Sequence, residues 1–174
     1  MKYLPLMLCL LLFGCKDKLD IALKKSQKEM LVYNEGDNFK LMNVATGEVS
    51  TFSVNSISYY YEDDYSNNGF FPTLTDVRYQ VGKLDFSNDS NCYGSIYTRA
   101  TNDDSLDMHI ELNGCFGQNF YEFGPYEEGD PYQIGFQNYY LFSTYPPRQL
   151  FYSKERGILA IEDDQMQINY ISVD

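Results

Sequence analysis

From Met30 to the C-terminus the apolar positions recur with period two. The clearest stretch is 106–113, where Leu106, Met108, Ile110 and Leu112 fall on one side of a strand and Asp107, His109, Glu111 and Asn113 on the other. Val77, Tyr79 and Val81 alternate with Arg78 and Gln80, and the run continues through Leu84 and Phe86. Phe39–Val44 and Glu48–Val54 flank Ala45-Thr46-Gly47, which predicts a hairpin with glycine at its tip. Leu31–Tyr33, Ser56–Glu62, Phe116–Phe123, Ile134–Phe142, Gln149–Tyr152, Ile158–Glu162 and Met166–Val173 are further β-prone runs, separated by polar and glycine-containing turns. About ten short strands, with turn signals every 8–15 residues and no long helical period, predict an all-β antiparallel sandwich or barrel.

The first residues follow another pattern. Lys2 precedes an apolar run of eleven residues, Tyr3–Phe13, which contains Pro5 and ends at the charged Lys16-Asp17-Lys18. That is short of the ~20 residues needed to cross a bilayer and matches the n- and h-regions of a secretory signal. The run closes on Leu12-Phe13-Gly14-Cys15, which resembles the lipobox of bacterial lipoproteins. The resemblance covers about the first eighteen residues. It implies that residues 1–14 are removed and that Cys15 carries a thioether-linked diacylglycerol with an acylated amino terminus. Two or more acyl chains anchor a protein stably where one does not. Position +2 is Lys16, so the inner-membrane retention aspartate of that family is not there, and the expected address is the outer membrane. The closing Tyr152-Ser153-Lys154-x-x-Gly157-Ile158-Leu159-Ala160 run is similar to the endings of small surface lipoproteins. Three segments follow: signal peptide 1–14, lipidated N-terminus and flexible tether 15–29, and a single β domain 30–174. As a coil, the tether would span roughly 20 Å.

Charge narrows the partners. Without residues 1–14 the chain has 12 basic and 25 acidic side chains, a formal −13. Residues 15–30 carry Lys16, Lys18, Lys24, Lys25 and Lys28 against Asp17, Asp20 and Glu29, or +2, and the rest is −15. So acidic a body repels phosphate backbones, which excludes nucleic acid as the expected partner. The basic stretch suits anionic headgroups. With Cys9 in the signal and Cys15 acylated, Cys92 and Cys115 remain as an even pair in an oxidising compartment. A bridge between them closes a 24-residue loop, worth about 3 kcal/mol in the chain-entropy model.

Candidate chemistry is sparse. Asp107, His109 and Glu111 share a strand face, but residues two apart lie ~7 Å from each other. A solvated strand face, with the one histidine held between two carboxylates, is therefore expected in place of a metal site. Asp64, Ser66 and Asn68 with Gly69 resemble the front half of a calcium loop, without the bidentate glutamate at position 12. Asp104-Ser105-Leu106 resembles an O-glycosylation site with Ser105 as acceptor. Glu122, Glu127, Glu128 and Asp130 supply carboxylates, but no G-x-S-x-G, P-loop or H-E-x-x-H pattern accompanies them, and no cofactor is expected.

The aromatic load is the strongest signal in the body: seventeen Tyr and twelve Phe with no Trp. Tyr59-Tyr60-Tyr61, Phe70-Phe71 and Tyr139-Tyr140 are adjacent, so alternation turns one member of each group outward. Together with Tyr126, Tyr132 and Tyr145 they form the expected contact set for a protein or glycan partner. Aromatic core packing and cross-strand pairing account for the rest. The expectation is a non-enzymatic, lipid-anchored envelope protein. A lipid carrier with an apolar cavity and a carboxylate-based hydrolase are the alternatives.

Overall fold

A computed structural model describes residues 17–63, 75–102, 105, 107–115, 120–123, 132–134, 137–143, 149–162 and 167–173. It is all-β, as the alternation predicts. The elements run β1 Asp17–Ile21, α1 Lys25–Lys28, β2 Asn38–Asn43, β3 Val49–Asp63, β4 Thr75–Ser87, β5 Tyr93–Arg99, β6 Asp107–Asn113, β7 Phe120–Phe123, β8 Tyr132–Ile134, β9 Gln137–Ser143, β10 Gln149–Ser153, β11 Gly157–Glu162 and β12 Ile168–Val173.

The strands form one curled sheet in the order β7-β6-β5-β4-β3-β2-β12-β11-β10-β9-β8. Two antiparallel meanders, β2 to β7 and β8 to β12, are joined where β12 pairs with β2 (Ile171 opposite Met42). The predicted hairpin stands: β2 and β3 pair across a turn with Gly47 at φ +71°. β6 buries Met108, Ile110 and Leu112 and leaves 107, 109, 111 and 113 half-exposed, which is the alternation read from the sequence.

The inner face of the curl holds the core. Phe52 and Val54 of β3, Leu84 and Phe86 of β4, Ile96 of β5, the three β6 residues, Leu150 and Tyr152 of β10 and Ile158 of β11 belong to one buried cluster. Phe39, Phe52 and Phe86 meet stacked or edge-on, with centroids 5.0–5.8 Å apart, and such pairs add to the area they bury. Phe86 also explains a glycine. A Cβ at Gly94, its cross-strand neighbour, would sit 2.5 Å from the Phe86 ring.

Three sequence expectations are corrected. Ser56–Glu62 is not a separate strand. It continues β3, because a bulge beside Asn55 absorbs one residue and lets pairing resume at Ser56 opposite Asp85. Leu31–Tyr33 is not a strand; it crosses the inner face, with Leu31 and Tyr33 each 8% exposed. Residues 17–29 are not a flexible tether. β1 pairs in parallel with the start of β4, from Asp17 opposite Thr75 to Ile21 opposite Tyr79. Leu23 is then buried against Gly82 beside Leu31. Gln27, 3% exposed, donates to Thr101 Oγ1 and to the Ser105 carbonyl, and accepts from the Lys24 amide. Gln80 seals the junction where β1 gives way to β5. Its side chain accepts from the Leu23 amide and its carbonyl from the Ala100 amide.

Cys92 and Cys115 are bonded, with Cα atoms 4.6 Å apart. The bridge pins the β4–β5 turn to the end of β6.

Candidate functional site

Pairing register builds the main candidate on the outer face of β3 to β6. On β4 the inward residues are Gly82, Leu84 and Phe86, so Tyr79, Val81, Lys83 and Asp85 point outward. Register then sets Lys83 beside Tyr97 of β5, and Tyr97 beside His109 of β6. The three form a layered row across the sheet. The Tyr97 and His109 rings stack at 4.4 Å and 18°, and the Lys83 ammonium lies 5.3 Å from the other side of Tyr97. Tyr97 Oη donates to Glu111 Oε2 at 3.1 Å. One strand step away the Arg99 guanidinium covers Tyr79 at 4.6 Å. Between these two units Val81 is only 4% exposed although it lies on the outer face, because its register neighbours are Tyr60 and Arg99.

Asp85 anchors the row. Its carboxylate accepts from Ser95 Oγ at 2.5 Å and Ser56 Oγ at 3.3 Å and pairs with Lys83 Nζ at 3.0 Å. Burial alone would raise this carboxyl, but the bonds from Ser95 and Lys83 outweigh it and hold the group below its ordinary value. The same contact with Asp85 raises Lys83, so the ammonium stays charged. Burial pushes the Tyr97 hydroxyl up, helped by Glu111, and Tyr60 up, helped by Glu62. A carboxyl lowered on folding contributes stability above its unfolded value of 3.8 and loses it as pH falls through the folded value. Asp85→Asn should therefore cost about 1 kcal/mol at neutral pH, a charged hydrogen-bond cluster discounted for its partial exposure. Urea midpoints of the two proteins should converge as pH falls below 3.8 and through the lowered folded value.

The sequence-derived candidates divide. His109 and Glu111 belong to the row, where His109 stacks on Tyr97 and Glu111 receives a phenol. Among the described residues no group of three His, Cys, Asp or Glu could hold a metal, so the Asp107-His109-Glu111 reading fails on geometry. Tyr59, Tyr60 and Tyr61 are 48%, 37% and 40% exposed. Tyr60 borders the row; Tyr59 and Tyr61 face the other way, under Lys28 and Arg78. Ser105 is half-buried, and its carbonyl accepts from Gln27 and Thr101. Tyr132, Tyr139 and Tyr140 lie on strands, with Tyr132 opposite Tyr139 and Tyr140 opposite Tyr152. Cys15, Asp64, Ser66, Asn68, Phe70, Phe71, Tyr126 and Tyr145, and the carboxylates of Glu127, Glu128 and Asp130, lie outside the described residues. Sequence reading missed Lys83, Asp85, Tyr97 and Arg99. Only register brings positions 83, 97 and 109 into one line.

A polar cleft of about 230 Å³ opens at the end of the curl where β3 begins. Asn43, Glu48, Ser50, Asn88, Ser90 and Tyr170 line it above Cys92 and Gly114. Asn43 is committed internally: Oδ1 accepts from the Ala45 and Thr46 amides, and Nδ2 donates to Tyr170 Oη. The cleft is below the roughly 300 Å³ at which small-molecule pockets begin.

Compared with known protein families, with curated proteins and with solved structures, the chain matches none.

Proposed function

We propose that this chain is a lipid-anchored envelope lipoprotein, acylated at Cys15, whose β domain binds a protein partner through the outer face of β3 to β6. The anchoring half rests on Leu12-Phe13-Gly14-Cys15 and the apolar run before it. The binding half rests on one observation, the layered Lys83–Tyr97–His109 row with the Arg99–Tyr79 pair beside it.

The row favours a protein over a glycan. A pyranose stacks on a free ring face, but Tyr97 has Lys83 on one side and His109 on the other. What it presents is a preorganised edge of hydroxyl, imidazole, guanidinium and ammonium groups. Tyr and Arg held rigid before contact are the residue types that dominate protein interfaces. The apolar-cavity alternative has less support, because the inner-face Leu, Met and Phe side chains pack into one cluster and the described cleft is polar.

A photo-crosslinking residue at His109 in living cells should give a discrete protein adduct that the same residue at Thr51 does not. Arg99→Ala should weaken that adduct about tenfold or more, the 1–2 kcal/mol typical of an interface anchor. Equal adducts from both positions, or a saccharide-array signal that depends on Tyr97, would count against the protein-partner reading.

A further inference from the structure

β3 and β4 are longer than the core needs. On the inner face burial ends at Ile57 opposite Leu84 and at Gly82; beyond it the hairpin runs on to Asp63 opposite Arg78. This overrunning end carries exposed apolar or aromatic side chains on both sides, beside the exposed Glu62 and Asp63. Tyr59 and Tyr61 are 48% and 40% exposed on the inward-facing side, and Leu19 of β1, opposite Val77, is 52% exposed on the other. Alternation normally hides one side of a strand, and here it hides neither.

The chain's own path says what lies against this end. β1 begins at Asp17 opposite Thr75, the first residue of β4. Only Lys16 separates Asp17 from Cys15, and two residues of extended chain reach at most ~7 Å. The polar zone of one leaflet is about 5–8 Å deep, half the difference between a whole bilayer and its hydrocarbon core. A lipid on Cys15 therefore brings Asp17 and Thr75 down to headgroup level, with the end of β3, opposite Arg78, about 10 Å of strand above them. No coil is left to lift the domain away.

We propose that the overrunning end of β3, β4 and β1 is a membrane-docking surface, with Asp17, Thr75 and Leu19 at the headgroups of the bilayer that holds the anchor. The proposal rests on acylation of Cys15. At this end Lys18 and Arg78 stand among Asp17, Asp20, Glu62, Asp63 and Asp76, so the docking rests on the chain path and not on net charge. Lys28 lies 5.7 Å from the Tyr59 ring and Arg78 5.3 Å from Tyr61. Lys18 and Lys25 are exposed on the same N-terminal stretch, the one basic part of an acidic protein. Arg78 is held in place by a two-bond contact with Asp20, at 2.8 and 2.6 Å, which locks β1 to β4. The sheet then stands on its hairpin end, and Ala45, before the start of β3, lies some 45 Å of strand away.

The test uses the full chain, processed by its host and reconstituted in vesicles of phosphatidylethanolamine and phosphatidylglycerol. A fluorophore is placed at Glu62→Cys or at Ala45→Cys, and a headgroup-attached quencher reads depth. Quenching should be several-fold stronger at position 62. Equal quenching, or stronger quenching at 45, overturns the docking surface. Incorporation of labelled palmitate at Cys15 is scored on the same samples. Its absence overturns the anchor and the docking surface together, whereas its presence with equal quenching overturns docking alone.

Discussion

Leu23→Ala will lower the stability of the folded chain by about 2–4 kcal/mol, the range for leucine truncation in a packed core. The position falls in the segment whose composition reads as a tether, where the same change would do nothing. In the structure Leu23 is 5% exposed, and its Cδ1 packs over Gly82 together with Leu31 Cδ1 and the Tyr59 ring. Alanine leaves a void that the neighbours cannot close, because β4 is fixed on one side by β3 and on the other by β1 and β5. Urea unfolding followed by tyrosine fluorescence measures it, since the chain has no tryptophan to obscure the signal. An unchanged midpoint would mean that residues 17–29 do not belong to the fold.

Gly157→Ala should be costlier still, about 3–5 kcal/mol, a large share of the 5–15 kcal/mol that holds a domain together. Two penalties combine. Gly157 has φ +76°, which costs a residue with a Cβ about 1–2 kcal/mol. The new Cβ would also fall 2.0 Å from Tyr33 Oη. That hydroxyl donates to the Arg156 carbonyl at 3.1 Å and accepts from the Ile158 amide at 3.0 Å. Burial pushes its pKa up to about 12, so it remains a neutral donor. Moving it breaks both bonds and the Tyr33–Phe39 stack at 4.7 Å. Gly47→Ala is the control. Gly47 has φ +71° but nothing within 4 Å of its added Cβ, so only the backbone penalty should appear. Equal losses at the two glycines would show that the Tyr33 contact is energetically empty.

How far the sequence carries depends on whether a feature is local. The β6 alternation, the Gly47 hairpin and the Cys92–Cys115 bond each follow from near neighbours or from cysteine arithmetic, and each stands in the structure. β5 is not among the strands read from the sequence, and its Gly94 is explained only by long-range neighbours, since a Cβ there would sit 2.5 Å from both the Glu111 carbonyl oxygen and the Phe86 ring. Nor was the role of residues 17–33. Lys-rich surroundings mask the spacing of Leu23, Gln27, Met30 and Leu31, which is the one-sided period of a helix turn and its continuation. Three of the four are apolar and all are buried. The outer row is the extreme case. Positions 83, 97 and 109 look unrelated until two antiparallel pairings align them.

The β2–β12 seam has a consequence for biogenesis. Val173 lies opposite Lys40 and Ile171 opposite Met42, so the sheet's central joint unites nearly the first strand with the last. Contacts this distant along the chain form late and slowly. Until residues 168–173 are free to pair, the two meanders have no joint between them, and each must hold its own strands without the other.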